Sequence, residues 1–276
     1  MANHSNDSKN TLFPALLKYW RGTHGLSQLD LGLAADVSAR HVSFMETGRA
    51  KPSKDMVLTL GNTLQIPLRE QNALLQAAGF DKEFDEPSFS MSMDSQIGSV
   101  LQLMLDKHEP YPMIIMDWGY DLLMSNKSAS KMLMMFVKDP SAVTAPINML
   151  EMIFHPGLGR SFIVNWEKVA RTLLARLHRE ALLKSHDGRL NSLINRIVDY
   201  PDIPESWRHP DFSQSSQPNL TVDLKRGDCE FSFITTMTNF SAPQNVTLEE
   251  LLIESYFPVD NKTETACQAI LCGQGS

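Results

Sequence analysis

Residues Ser27–Ser53, SQLDLGLAADVSARHVSFMETGRAKPS, constrain this chain more than any other stretch. They read as two short helices joined by a tight turn at Asp36-Val37, the second closing at Glu46-Thr47-Gly48. Ser27 and Ser38 stand where helix N-caps belong, because a serine oxygen accepts one of the first unpaired backbone N–H groups. Two helices so short cannot bury a core alone. They need neighbours, and the flanks supply them. Thr11–Thr23 carries Leu12, Leu16, Leu17 and Trp20 at helical spacing. Leu29, Leu33 and Ala34 are expected inward on the second helix, Val42 and Met45 on the third. Ser53 caps a fourth helix through Met56, Val57, Leu60 and Leu64, and a fifth, Leu68–Ala78, stops at Gly79. The expected unit is an all-α domain of five helices over residues 11–80, built around a helix-turn-helix whose second helix fits a DNA major groove.

Several outward residues of that unit suit DNA. On Ser38–Glu46 they are Ala39, Arg40, Ser43 and Phe44. Arg40 can bond guanine in bidentate fashion, and Ser38 and Ser43 can reach a phosphate or a base edge. Gln28 opens the preceding helix and can anchor a phosphate by side chain and helix N-terminus together. Arg49, Lys51 and Lys54 follow the second helix and would lie along the backbone. A helical hairpin packed for stability alone would not require these offsets to coincide. His41 suits packing or capping better than base reading.

Net charge of -7 looks adverse for DNA, but it is uneven. Residues 1–84 hold nine Lys/Arg and eight Asp/Glu, or +1; the remainder holds 25 - 9 = 16 against 32 - 8 = 24, or -8. Only local cations release counterions. The head can therefore bind DNA through a few contacts and two copies, while non-specific coating is excluded.

After Phe80 the composition turns acidic and serine-rich around Pro87, which reads as a linker over 81–96. A second domain is expected over 97–262. Its helices fall at Ile97–Lys107, Asn126–Phe136, Met149–Phe154, Ser161–Lys184 and Leu190–Tyr200. Strands fit Met113–Asp117, Asp121–Met124, Leu220–Lys225, Glu230–Asn239 and Leu251–Phe257, the last also compatible with a helix over Leu248–Ile253. The fold class is thus α+β after an all-α head. Residues 263–276 read as a disordered tail. The basic residues Arg171, Arg176, Arg179 and Lys184 read as the solvated face of the long helix, balanced by Glu167 and Glu180.

Eleven of the 15 methionines lie between Met91 and Met152. Thioether side chains are flexible and polarizable, so such a cluster suits a deformable apolar pocket as well as an ordinary core. Candidate linings are Met113, Ile115, Met124, Met132, Met135, Met149 and Phe154. Polar candidates beside it are Asn126, Arg160, Asn165 and Trp166, with Arg160 able to meet a carboxylate or lactone. His155 fits a capping role better.

Leu16–Phe80 resembles the Xre/Cro/C1-type helix-turn-helix, and SARHVSFMETGRAKPSKDMVL is close to the variety in MmyB-type transcription regulators. The second domain is similar to the MmyB-like ligand-binding domain on YPMIIMDWGYDLLMSNKSA and on the stretch from NMLEMIFHPGLGR to LHREA. The resemblance implies a PAS-like second domain, a mixed sheet flanked by helices around a small-molecule cavity. It also implies an acyl or fatty-acid-like ligand.

Chemistry of other kinds finds no support. There is no GxSxG, P-loop or GxGxxG, and His178 and His186 are eight apart, the wrong offset for a helical metal pair. Neither an enzyme, nor a resident cofactor, nor a metal is expected. Three cysteines without framework spacing, a polar N-terminus and short apolar runs such as Met132–Val137 fit a cytoplasmic protein without a membrane span. The expected partners are a palindromic double-stranded DNA, an apolar small molecule and a second copy of the chain. The main alternative is a DNA-bound adaptor whose second domain recruits a protein and binds no small molecule.

Overall fold

The computed structural model describes residues 9–89, 96–183, 188–209, 220–240, 243 and 245–271. The chain divides into two compact units. One comprises residues up to Ser88 together with Phe240–Glu249; the other comprises Phe89–Asn239 and Glu250 onward.

The first unit is helical, with α1 (Lys9–Thr23), α2 (Gln28–Ala34), α3 (Ala39–Glu46), α4 (Lys54–Thr63) and α5 (Leu68–Ala78). Three serines set three helix starts. Ser27, Ser38 and Ser53 accept from the backbone N–H of Asp30, His41 and Met56, and Asp30 reaches back to the Ser27 N–H to complete a capping box. The turn between α2 and α3 depends on close approach: a Cβ on Gly32 would stand 2.7 Å from the Val37 carbonyl oxygen. Gly48, at φ 71°, takes the left-handed conformation that ends α3. Phe13, Leu17, Trp20, Leu31, Val42, Met45, Leu60 and Leu74 form one buried core. Leu29 and Leu33, expected inward, are 59% and 74% exposed. α2 rotates so that Leu31, Gly32 and Ala35 meet the core instead, because only the glycine face fits against the turn.

The first unit extends beyond residue 80. Residues 81–88, expected to be linker, are tied to α5 by Asn72, whose amide oxygen accepts from the Glu83 and Phe84 N–H groups and whose nitrogen donates to the Phe84 carbonyl. Residues 90–95 of that expectation lie outside the described residues. A short helix, α11 (Val246–Glu249), completes the unit. Val246 and Leu248 are buried, the Val246 N–H donates to the Asp85 carbonyl at 3.0 Å, and Thr247 Oγ1 donates to the Pro87 carbonyl at 2.5 Å. Pro67 offers α5 no side-chain cap. Glu249 supplies it: its carboxylate accepts from the Leu68 N–H at 2.7 Å.

The second unit begins with α6 (Gln96–His108), β1 (Met113–Met116), β2 (Leu122–Ser125), α7 (Lys127–Met135) and α8 (Met149–Phe154). It continues with α9 (Trp166–Leu183), α10 (Arg189–Val198), β3 (Leu220–Arg226), β4 (Cys229–Thr238), β5 (Leu252–Pro258) and α12 (Asn261–Leu271). The strands form one sheet in the order β2-β1-β5-β4-β3. All four pairings are antiparallel, so the sheet is not mixed as the resemblance implied. The β3–β4 hairpin closes at Gly227-Asp228, with Gly227 at φ 59°.

Residues 261–271 are helical, although 263–276 were expected to form a disordered tail. Thr263, Cys267 and Ile270 follow each other along one face of α12 and are buried, Cys267 and Ile270 against Phe231 and Phe233. A buried apolar stripe fixes a terminal helix that local polarity alone would leave loose. Residues 272–276 lie outside the described residues.

Candidate DNA-binding face and ligand cavity

α3 presents what a groove-reading helix needs. Val42 and Met45 face the core, while Arg40 is exposed and Ala39, Ser43 and Phe44 are half-buried on the outer side. The Arg40 guanidinium sits 5.1 Å from the Phe44 ring centre, a contact that holds the side chain along the helix without occupying its donors. Ser38 is committed to capping through its oxygen. Arg49 and Lys51 are exposed. Lys54 is not free: its ammonium lies 2.5 Å from Glu83. Gln28 is also engaged, its amide nitrogen donating to Glu46 at 2.8 Å, which leaves one of its two amide hydrogens for a phosphate.

Glu46 holds this arrangement. The Arg21 guanidinium reaches its two oxygens at 2.6 and 3.0 Å, and Gln28 adds the third bond. Three helices thus meet on one carboxylate whose side chain is 2% exposed. Burial acts to raise its pKa, but the hydrogen bonds from Arg21 and Gln28 outweigh it and hold the group below the usual carboxylate range.

The second unit holds a partly open cavity of about 110 Å³. Strand alternation selects its sheet wall. Ile114 and Met116 of β1, Leu220, Val222 and Leu224 of β3, and Glu254 and Tyr256 of β5 all line it. Met132 and Met149 line it too, with Met152, Ala129 and Leu173 from the covering helices. Met113 and Ile115 do not. They are buried on the opposite side of β1, one residue out of phase with the cavity wall. Met124, Met135 and Phe154 also lie off the cavity: Met135 packs in the cluster around Phe231, and Phe154 packs against Trp166.

The polar residues expected beside the pocket have other employment. Asn126 caps α7 and ties the Met113 N–H and Tyr111 carbonyl together. Arg160 donates to the Pro201 carbonyl at 2.7 Å and stacks 4.0 Å over Trp166. Asn165 clamps β3, donating to the Thr221 carbonyl and accepting from the Asp223 N–H. Trp166 donates its indole N–H to the Ile153 carbonyl. His155 accepts from the Gly157 N–H, a local turn bond. It borders a second, polar cleft of about 480 Å³ whose charged groups pair with each other, Arg189 with Asp121 and Arg196 with Glu151.

Sequence reading missed the cavity's polar cluster, which is Tyr120, Arg176, Glu254 and Tyr256. Arg176 does not lie on a solvated face; it lines the cavity, 3.8 Å from Glu180. The Tyr120 hydroxyl donates to Glu180 at 2.7 Å and that of Tyr256 to Glu254 at 3.2 Å. Burial pushes both phenols up, so both remain donors at neutral pH. One hint was available: Arg176 follows Leu173 by three residues, on the apolar side of an amphipathic helix.

The two units define a class: a helix-turn-helix DNA-binding head joined to a domain with a small-molecule cavity. A helix-turn-helix family model matches residues 17–71, and the MmyB-like transcription regulator ligand binding domain matches residues 97–270. The chain belongs to the MmyB-like transcription regulators. No curated protein matches it. A solved structure titled "Structure of an RNA-binding Light-Oxygen-Voltage Receptor" aligns at 10% identity and a TM-score of 0.29, over 99% of this chain. The chain spans 63% of that structure's length. Among the described residues no helix is long and apolar enough to cross a membrane.

Proposed function

We propose that this regulator binds a palindromic DNA site as a homodimer, and that an apolar acyl-type ligand in the cavity changes its affinity for that site. The observation that carries the reading is a chain connection. Glu254 of β5 lines the cavity, and five residues earlier Glu249 caps α5 of the head. The chain that leaves α11 thus runs directly into a strand that lines the cavity, and that covalent link is the route by which ligand binding would bear on the head. Such coupling needs different ligand affinity in the two states and nothing else.

Dimerisation is supported by the head's charge. With Lys54 paired, the exposed cations near α3 include Arg40, Arg49, Lys51 and, from α1, Lys18, few for strong binding by one copy. The methionine walls support an apolar ligand over a protein-recruiting adaptor, which would have no use for an apolar cavity of this kind. The volume is somewhat below the ~150 Å³ of engineered voids that admit one aromatic ring, which suits a short acyl chain.

Native mass spectrometry of the purified protein tests the ligand. A retained adduct of acyl-compound mass is the expected result. Absence of any adduct, with no shift in melting temperature on adding short-chain acyl compounds, would overturn it.

A further inference from the structure

Resting on that ligand-binding reading, we propose that the cavity selects an uncharged acyl head group that both accepts and donates a hydrogen bond, such as a primary amide, over the corresponding carboxylate.

The cluster at the cavity holds one guanidinium and two carboxylates. Arg176 has Glu180 on its own helix at 3.8 Å, and Glu254 faces it from β5. The cation is already balanced before any ligand enters. An incoming carboxylate would be a third anion around one guanidinium, inside a site walled by apolar side chains. Burying an unbalanced charge there costs far more than burying a neutral amide whose bonds are met.

The hydrogen-bond inventory points the same way. The Arg176 Nε–H is buried and makes no hydrogen bond among the described residues, the Glu180 oxygen at 3.8 Å standing beyond hydrogen-bond reach. A buried donor without a hydrogen bond is costly, so a ligand carbonyl placed there gains affinity. Glu254 is bonded by the Tyr256 and Thr235 hydroxyls, and a carboxylate with about four lone-pair sites can still accept from a ligand N–H. A carboxylate satisfies the first requirement and fails the second. An ester does the same without the charge. A primary amide meets both. Burial pushes the Glu254 carboxyl upward, with Arg176 beside it and the Tyr256 and Thr235 hydroxyls opposing, which fits a group poorly tolerant of further negative charge.

Isothermal titration of the full chain at neutral pH with butanamide, butanoate and methyl butanoate tests the proposal. The three share one chain length short enough for the cavity, so burial of the tail cancels. Butanamide is expected to bind at least about tenfold more tightly than either, the effect of one hydrogen bond to a charged group. Butanoate binding as tightly as butanamide would overturn the head-group assignment and leave the apolar-ligand reading standing. Failure of all three to bind would overturn both. In Glu254→Gln the gap between butanamide and butanoate should narrow to about threefold or less, since one anion is gone. A gap that persists in a variant of unchanged melting temperature would also overturn the assignment. If that variant does not fold, the wild-type series decides alone.

Discussion

The backbone N–H of Leu68 donates to the carboxylate of Glu249, 181 residues later in the chain. The first residue of α5 thus takes its N-terminal acceptor from the connection between β4 and β5. A carboxylate at that position satisfies an unpaired donor and complements the positive end of the helix. The same connection enters β5, whose Glu254 and Tyr256 line the cavity. The bond is local in energy and global in reach.

Glu249→Ala is expected to lower the stability of the head by about 1 kcal/mol, the usual effect of losing a helix cap. It should also shrink any effect of ligand on DNA affinity while leaving ligand affinity itself within about threefold, because no cavity residue changes. Titrations of ligand and of DNA on the same variant check both parts. A variant with full ligand-dependent regulation would exclude Glu249 from the coupling.

Glu46 carries the head's internal geometry. Arg21→Ala leaves a buried carboxylate with one partner fewer and should cost about 3 kcal/mol in chemical denaturation. The pH dependence has a definite sign. The folded pKa of Glu46 lies below its unfolded value, so its stabilisation is complete above the unfolded pKa of about 4.3 and is lost as pH falls through the folded value. Melting temperature should therefore fall on acidification below about pH 4 more steeply in the wild type than in Glu46→Gln. Equal slopes would mean that the Arg21 and Gln28 bonds contribute nothing at neutral pH.

Much of the head was legible because each helix start carries its own signal. Ser27, Ser38 and Ser53 act through atoms three residues away, and Gly79 stops α5 at φ 90°. The cavity was half legible. Methionine enrichment pointed to Met132 and Met149, but periodicity cannot tell which face of a doubly buried strand meets a void, and β1 was read one residue out of phase. Arg176 stayed hidden for another reason. Its charged neighbour Glu254 arrives from β5, and no pattern within the helix encodes that partner. The role of Val246–Glu249 in the head is likewise non-local, since its partners Asp85, Pro87 and Leu68 are distant in sequence.

Arg40→Ala should weaken binding to a selected DNA site by about 1–3 kcal/mol and relax preference at one base position. Lys51→Ala should weaken all sequences alike and reduce the salt slope by about 1, as removal of a phosphate contact does. Lys54→Ala should change the slope less, because Glu83 already neutralises that ammonium. Gel-shift titrations at several salt concentrations separate the three. An Arg40→Ala variant with unaltered specificity would move base reading elsewhere on α3.

Ala129 is 2% exposed and lines the cavity. Ala129→Phe places a ring in existing space, so stability in chemical denaturation should fall by no more than about 1–3 kcal/mol while ligand binding is lost. Retained binding by calorimetry would show that the ligand sits elsewhere, with the polar cleft beside His155 the next place to look.

The most direct measurement is the dissociation constant of the full chain for its selected DNA site, with and without a saturating cavity ligand. A change of at least about fivefold is expected, in either direction, with the same factor recovered when ligand affinity is measured with and without DNA. Identical DNA affinity in the two conditions, with ligand binding shown in the same sample, would contradict coupling between cavity and head.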